Sequence, residues 1–295
     1  MRTTRLGDLT VGTIAFGCWR LPTSTMAEAR TLIETALDAG LTLIDTADIY
    51  GLGQPLGFGG AETLLGEVLA ASPSLRDRMV IATKGGIIPP RPYDSSYVYL
   101  MSAAEASLKR LGIEQIDLYQ IHRPDLTAPI EDTARALNEL VASGKVKHLG
   151  VSNFTIAQTR ALQAHLDMKL VSTQPEFSAV CQEPITDGTL DWCSETSAAC
   201  LAWSPLGGGR LATGNARDER ERRVVDCLTS VAERIGSDLP ATALAFTLRH
   251  QANVIPIIGT QNPARIRTAA MACDLDFSAR DFYDVIEAWR GQPMP

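Results

Sequence analysis

Four side chains of this 295-residue chain could act together on a carbonyl group: Asp45, Tyr50, Lys84 and His122. A tyrosine with a pKa near ~10 is a poor acid or base at neutral pH unless a nearby cation stabilises its phenolate. Lys84 can supply that cation, and Asp45 can hold the ammonium in place and charged. His122 can donate or relay a hydrogen bond to a substrate oxygen. The set suits a carbonyl that takes a proton on oxygen while hydride arrives at carbon. Taken singly, each residue has a plainer reading. A lysine at a strand end is usually solvated, a histidine after an apolar strand is usually structural, and Asp45-Thr46-Ala47-Asp48 could cap a helix. The chemistry therefore depends on what brings the four together.

Short β-rich runs alternate with longer amphipathic stretches along the chain. The spacing predicts strands at Thr13–Gly17, Thr42–Asp45, Met79–Lys84, Ile116–His122, Val146–Ser152, Leu170–Gln174, Cys200–Ser204 and Val254–Ile258. They are mostly apolar and scarcely alternate, as parallel strands covered on both faces do. Between them, sets such as Ala29, Ile33, Ala36 and Leu37, or Val224, Leu228, Val231 and Ile235, recur at helical spacing. Ala39-Gly40 and Ser143-Gly144 provide helix stops. Eight strand–helix units in this length favour a closed (β/α)₈ TIM barrel over an open sheet, as a single domain over residues 1–295. Residues 1–12 are expected to form a β-hairpin at the barrel floor, and 205–221 a long loop after the seventh strand.

In such a barrel the C-terminal rim of the strands holds the active site. Asp45, Lys84 and His122 end the second, third and fourth predicted strands. Ser152-Asn153, Gln174 and Trp203-Ser204 end the next three, and Gly259-Thr260 follow the eighth. Solvated or structural roles taken one by one do not predict so many consecutive strands ending in hydrogen-bonding or aromatic groups.

Composition narrows the classes. The chain is 45% hydrophobic and 21% charged, with a formal net charge of −7, which disfavours a nucleic-acid or membrane-surface partner. No apolar run approaches the ~20 residues that span a bilayer. The six cysteines (Cys18, Cys181, Cys193, Cys200, Cys227, Cys273) form no C-x-x-C pair and read as reduced thiols of a cytoplasmic protein. His122, His148, His165 and His250 show no metal-binding spacing, so no metal is expected.

The strings at the strand ends resemble the aldo-keto reductase superfamily over essentially the whole chain. They are Asp45-Thr46-Ala47-Asp48-Ile49-Tyr50-Gly51 with Glu62, Ala82-Thr83-Lys84, Asp117 to His122, and Gly150-Val151-Ser152-Asn153-Phe154. Trp203-Ser204-Pro205-Leu206-Gly207-Gly208-Gly209-Arg210 and Ile255 to Thr260 complete the series. The resemblance implies an NAD(P)H-dependent reductase of aldehydes and ketones, with Tyr50 as the acid–base group, Lys84 and Asp45 tuning it, and His122 orienting the carbonyl. It implies that Ser152, Asn153 and Gln174 hold the nicotinamide carboxamide and that Trp203 stacks on the ring. Ser204, Leu206 and Gly207 would lie along the pyrophosphate, with Arg210 folding over it. Gly259, Thr260, Gln261 and Arg265 would face the adenosine 2′ position. Arg265 has the chemistry for a 2′-phosphate, but Gly259 and Gln261 stand where the family often has Lys or Arg; NADPH is the expected cofactor and NADH the alternative. Trp19, Ile87 and Tyr93 are expected to line the substrate pocket, and the family favours a monomer. Two other readings of the same residues are a Schiff-base aldolase using Lys84 and a slow-turnover, dinucleotide-binding regulatory module.

Overall fold

Alternating side chains along the strands build a barrel with an apolar floor and a polar layer above it. The computed structural model describes residues 2–295. In chain order the strands are β1 (Thr3–Leu6), β2 (Leu9–Gly12), β3 (Ala15–Gly17), β4 (Leu43–Asp45), β5 (Val80–Gly85) and β6 (Ile87–Ile88). They continue with β7 (Arg91–Tyr93), β8 (Ile116–Ile121), β9 (Val146–Ser152), β10 (Leu170–Gln174), β11 (Ala199–Ala202) and β12 (Val254–Ile258). Eight of them close a parallel barrel in the order β10-β11-β12-β3-β4-β5-β8-β9. All eight predicted barrel strands are present. The seventh ends at Ala202, which leaves Trp203 and Ser204 on the loop beyond it.

Side chains alternate across a strand with period two. Leu43, Ala82 and Leu118 therefore point into the barrel, whereas Ile44, Ile81 and Ile121 join the cores beneath the outer helices. Two residues further along β4, β5 and β8, the inward positions are Asp45, Lys84 and Gln120, all buried. The floor is closed by the β1–β2 hairpin, whose Leu6 and Val11 pack against Leu43, Leu118, Leu201 and Ile255. Gly7 takes φ 62° in its turn, and Asp8 Oδ1 lies 2.5 Å from His148 Nε2 on β9. The expected plug is thus in place; Met1, at its start, lies outside the described residues.

Two segments depart from expectation. Residues 205–221, expected as a long loop, contain helical turns at Gly207–Gly209 and Arg210–Thr213, and the helix Glu219–Ile235 begins within them. After β5 the chain forms a small antiparallel hairpin, β6–β7, around Pro89-Pro90, which periodicity does not reveal in so short a run.

The outer helices start at side-chain caps. Thr25 makes a full capping box with Glu28 for the helix Met26–Asp38, and Ser278 does the same with Asp281 for Ala279–Arg290. The helices Gly60–Ala71 and Tyr97–Leu111 cross closely at Gly66, where an added Cβ would strike the carbonyl oxygen of Arg110. The Arg110 side chain also pairs with the fully buried Glu62 at 2.7 Å. Glu62 in turn accepts a 2.5 Å hydrogen bond from Thr83, the residue before Lys84. A second buried carboxyl, Asp48, accepts a 3.2 Å bond from the Tyr99 hydroxyl. Burial, with the neighbouring Glu62 charge, pushes Asp48 up to about 7.

These contacts set two measurable outcomes. Glycine to alanine within a helix normally stabilises by up to about 1 kcal/mol, yet Gly66→Ala should destabilise by about 1–3 kcal/mol because the helices cannot close over the methyl group. Denaturant titration checks the sign, and a more stable variant would refute the close crossing. Asp48 is raised in the folded state, so its contribution to stability is complete below about pH 4 and is lost as pH climbs through about 7. Asp48→Asn should therefore match wild type near pH 3.5 and gain on it from pH 4 to 7. Above that the gain should stay level, on the order of 1–4 kcal/mol. A stability difference that does not change with pH would rule out a titrating Asp48.

Candidate active site

Lys84 organises the polar layer. Its side chain has no solvent exposure, and its ammonium has three partners: Asp45 Oδ2 at 2.7 Å, the Thr46 carbonyl at 2.8 Å and the Tyr50 hydroxyl at 3.3 Å. An ammonium carries three donors, so none is left over. Asp45 and Lys84 come from adjacent strands, and Tyr50 comes from the loop after β4. Thr46 and Asp48 anchor that loop by donating their backbone N–H groups to the carbonyls of Ala82 and Lys84 on β5. The His122 ring meets Tyr50 edge to face, with centroids 5.8 Å apart. The four residues expected to act together thus share one cluster, with Asp45, Lys84 and His122 buried and Tyr50 half-buried.

Their electrostatics differ in one respect from the simplest expectation. Burial works against the Lys84 charge, but Asp45 and Tyr50 outweigh it and the pKa rises, so the ammonium is retained. Lys84 does favour the Tyr50 phenolate, as expected, yet burial is the larger effect and the net shift of Tyr50 is upward. Tyr50 therefore rests as a phenol whose oxygen already accepts from Lys84. Burial, with Lys84 and Arg123 nearby, lowers His122 well below its usual value and keeps the imidazole neutral. A charged, sealed Lys84 is the opposite of the free amine that a Schiff-base aldolase requires.

The neighbouring strand ends form a second set. Asn153 adopts φ 59° at the end of β9, its backbone N–H donating to the Gln174 carbonyl at 3.1 Å. Its side-chain nitrogen donates to Ser152 Oγ at 2.8 Å, and its oxygen accepts from the Trp203 indole at 2.9 Å. The indole is fixed through its edge, so its faces remain usable for stacking. Ser204 also takes a left-handed φ of 49°, and Gly207, Gly208 and Gly209 follow with φ of 56°, 69° and 98°. The Gly207 and Gly209 N–H groups donate to the Ser204 and Leu206 carbonyls at 2.8 and 3.0 Å and close a tight turn, whose exposed Gly208 carries no Cβ to bar a close approach. Leu206 lies half-buried within it. Arg210 is not a free loop cation: it makes two 2.9 Å bonds to the buried Glu221, which also pairs with Arg217 at 3.2 Å. Glu221, invisible as a site residue in the sequence, fixes the guanidinium against the glycine turn.

At the far end of the rim, Gly259 and Thr260 follow β12, and the exposed Arg265 lies in the helix Pro263–Ala270. Gln261 is turned aside, accepting from Ser24 Oγ at 2.9 Å. Arg20, not foreseen here, donates to the Gly259 carbonyl at 3.2 Å. Of the expected pocket residues, Ile87 and Tyr93 are paired across the β6–β7 hairpin, and Trp19 stands 57% exposed after β3 under the Arg20 guanidinium. Among the described residues, no helix is long and apolar enough to cross a membrane, no group of His, Cys, Asp or Glu is placed to hold a metal ion, and the six cysteines are free thiols.

The chain is similar to known proteins over nearly its whole length. The Aldo/keto reductase family matches residues 11–290. A 6-dehydroglucose reductase of Novosphingobium aromaticivorans is 47% identical over 289 residues, covering 97% of this chain and 94% of that protein. A 6-dehydroglucose reductase of Agrobacterium fabrum is 37% identical, covering 94% of each. Among solved structures, the glycerol dehydrogenase AKR11B4 from Gluconobacter oxydans superimposes with TM-score 0.87 at 27% identity, covering 99% of this chain and 97% of that one. The thermostable aldo-keto reductase Tm1743 does so with TM-score 0.84 at 25% identity, covering 98% and 100%. With a closed eight-stranded barrel, a buried Lys84–Asp45 pair joined to Tyr50 and a family match along nearly its whole length, the chain belongs to the aldo/keto reductase family of oxidoreductases.

Proposed function

We propose that this enzyme reduces aldehyde or ketone groups of small molecules to alcohols, with Tyr50 giving its proton to the carbonyl oxygen. The observation that carries the reading is the Lys84 ammonium, saturated by Asp45, Thr46 and Tyr50. As the Tyr50 proton leaves, the oxygen that remains already faces a fixed cation, and no solvent need reorganise. Neutral His122, edge-on to Tyr50, can donate a hydrogen bond to the same carbonyl oxygen and hold it in line.

The residues fit a nicotinamide dinucleotide on features of this structure: the left-handed run Gly207–Gly209 and the edge-anchored indole of Trp203. When bound, that cofactor supplies hydride to the carbonyl carbon. Ser152, Asn153 and Gln174 would take its carboxamide and Trp203 its ring. Ser204, Leu206 and Gly207 would line the pyrophosphate, where Arg210 is held ready by Glu221. Gly259, Thr260, Gln261 and Arg265 would border the adenosine. Arg265, with no ion-pair partner among the described residues, favours the 2′-phosphate of NADPH over NADH. Trp19, Ile87 and Tyr93 would border a small carbonyl substrate, and the two reductases named above make 6-dehydroglucose the first compound to try. We further propose that the protein is cytoplasmic, in keeping with the pattern of free thiols, and, on the family resemblance alone, that it acts as a monomer.

Fluorescence titration with NADPH and NADH, followed by turnover assays on simple aldehydes and 6-dehydroglucose, tests the proposal. Wild type should bind NADPH more tightly than NADH, and Arg265→Ala should narrow that preference. Tyr50→Phe should keep the NADPH affinity within about twofold and lower reduction by ~10²–10⁴-fold or more. If Tyr50→Phe reduced carbonyls at the wild-type rate, the assigned proton donor would be wrong.

A further inference from the structure

Gln120 has no part in the chemistry assigned so far, yet it is completely buried in the same polar layer as Lys84 and Asp45. It lies on β8, directly beside Lys84 in the strand register. On its other side the paired residue of β9 is Gly150, where a Cβ would stand 3.1 Å from the Gln120 Cγ. Glycine at that position makes room for the long amide.

The amide reaches Gln174. Gln174 Nε2 donates to Asp45 Oδ1 at 2.9 Å and to Gln120 Oε1 at 3.4 Å. The first of these bonds crosses the barrel, since β10 and β4 stand four strands apart in the closed order of eight. It also fixes which end of the Gln174 amide points where. A carboxylate paired with Lys84 only accepts, so the nitrogen of Gln174 must face it. The second hydrogen of that nitrogen finds the Gln120 oxygen. Rotating the amide by half a turn would set its oxygen against two acceptors at once. In the observed sense Gln174 Oε1 receives no bond from the described residues and is not one of their sealed polar atoms. It remains available to an N–H from the mouth of the barrel.

Gln120 itself is held at a disadvantage. Its Nε2 is buried without a hydrogen-bond partner in this structure, an arrangement that an apolar side chain of similar shape would avoid. Stability alone does not explain a glutamine there. We infer that Gln120 is a positioning residue: together with Asp45 it locks the Gln174 amide so that Oε1 accepts from the carboxamide N–H of a nicotinamide cofactor. This rests on the cofactor reading above. It adds that the grip on the carboxamide is set from two walls of the barrel by residues that do not touch it.

The test compares binding of two dinucleotides by fluorescence or calorimetric titration: NADPH, and the 3-acetylpyridine analogue of NADP, which lacks the amide N–H. Gln120→Met, with Gln120→Leu as a second variant should the first not fold, removes the acceptor and keeps the volume. The expected result is a Tm equal to or above wild type, a Kd for NADPH raised about 3–10-fold, and a Kd for the analogue within about twofold of wild type. Equal weakening toward both ligands would mark a structural defect and overturn the inference, as would an unchanged NADPH affinity. If wild type itself bound neither dinucleotide, the cofactor reading would fall first and this one with it.

Discussion

The buried pair of Lys84 and Asp45 is the constraint on which the rest of the site depends. Placing an ammonium and a carboxylate out of water costs several kcal/mol per ion, and their attraction repays it only if the remaining donors and acceptors are also satisfied. Lys84 meets that condition with Asp45, Thr46 and Tyr50, and Asp45 gives its second oxygen to Gln174. One buried charge thus determines where the loop after β4 runs, where the phenol stands and which way an amide on the opposite wall faces. Pairs of this kind add little to net stability. Here the pair fixes geometry.

The barrel makes such a pair tolerable through its layers. Below the charges, Leu43, Ala82, Leu118, Leu201 and Ile255 fill the interior, and Leu6 and Val11 of the hairpin seal it from beneath. Water can reach the polar layer only from the rim, where the reactive groups lie. Behind the wall, Thr83, Glu62 and Arg110 form a further buried chain that joins β5 to two outer helices. The strand carrying Lys84 is therefore held on both faces: by Asp45 inside the barrel and by Glu62 outside it.

Much of this was legible in the sequence because strand ends are legible. Asp45, Lys84, His122, Ser152 and Gln174 each close an apolar run, and the fold turns consecutive strand ends into neighbours. What stayed hidden depends on distances across the barrel or on balances of opposing effects. Gln120 sits one residue before the end of an apolar strand, inside the Asp117-to-His122 string but with no role assigned to it there; its value appears only when β10 and β4 face each other. Arg210 could be named as a cation near the glycine run, but its partner Glu221 lies eleven positions on, inside a helix. The β6–β7 hairpin is too short to show a period. For Tyr50 the sequence shows the neighbour, Lys84, but not the degree of burial, and burial decides the sign of the shift.

That sign bears on the resting state from which the proposed reaction starts. A Tyr50 held as a phenol, beside a charged Lys84 and a neutral His122, rests in the state needed to give a proton. Oxidation of an alcohol would run through the same groups in reverse, with Tyr50 ionised beside the same charged Lys84. The groups that would ease phenolate formation are the same ones that bind the phenol, so Lys84 serves Tyr50 in both protonation states. A substrate that fills the mouth excludes more water and strengthens both the penalty and the Lys84 attraction. Only the attraction has a fixed geometry. The phenolate left once a proton has been delivered to the carbonyl oxygen would thus meet the Lys84 ammonium already in place.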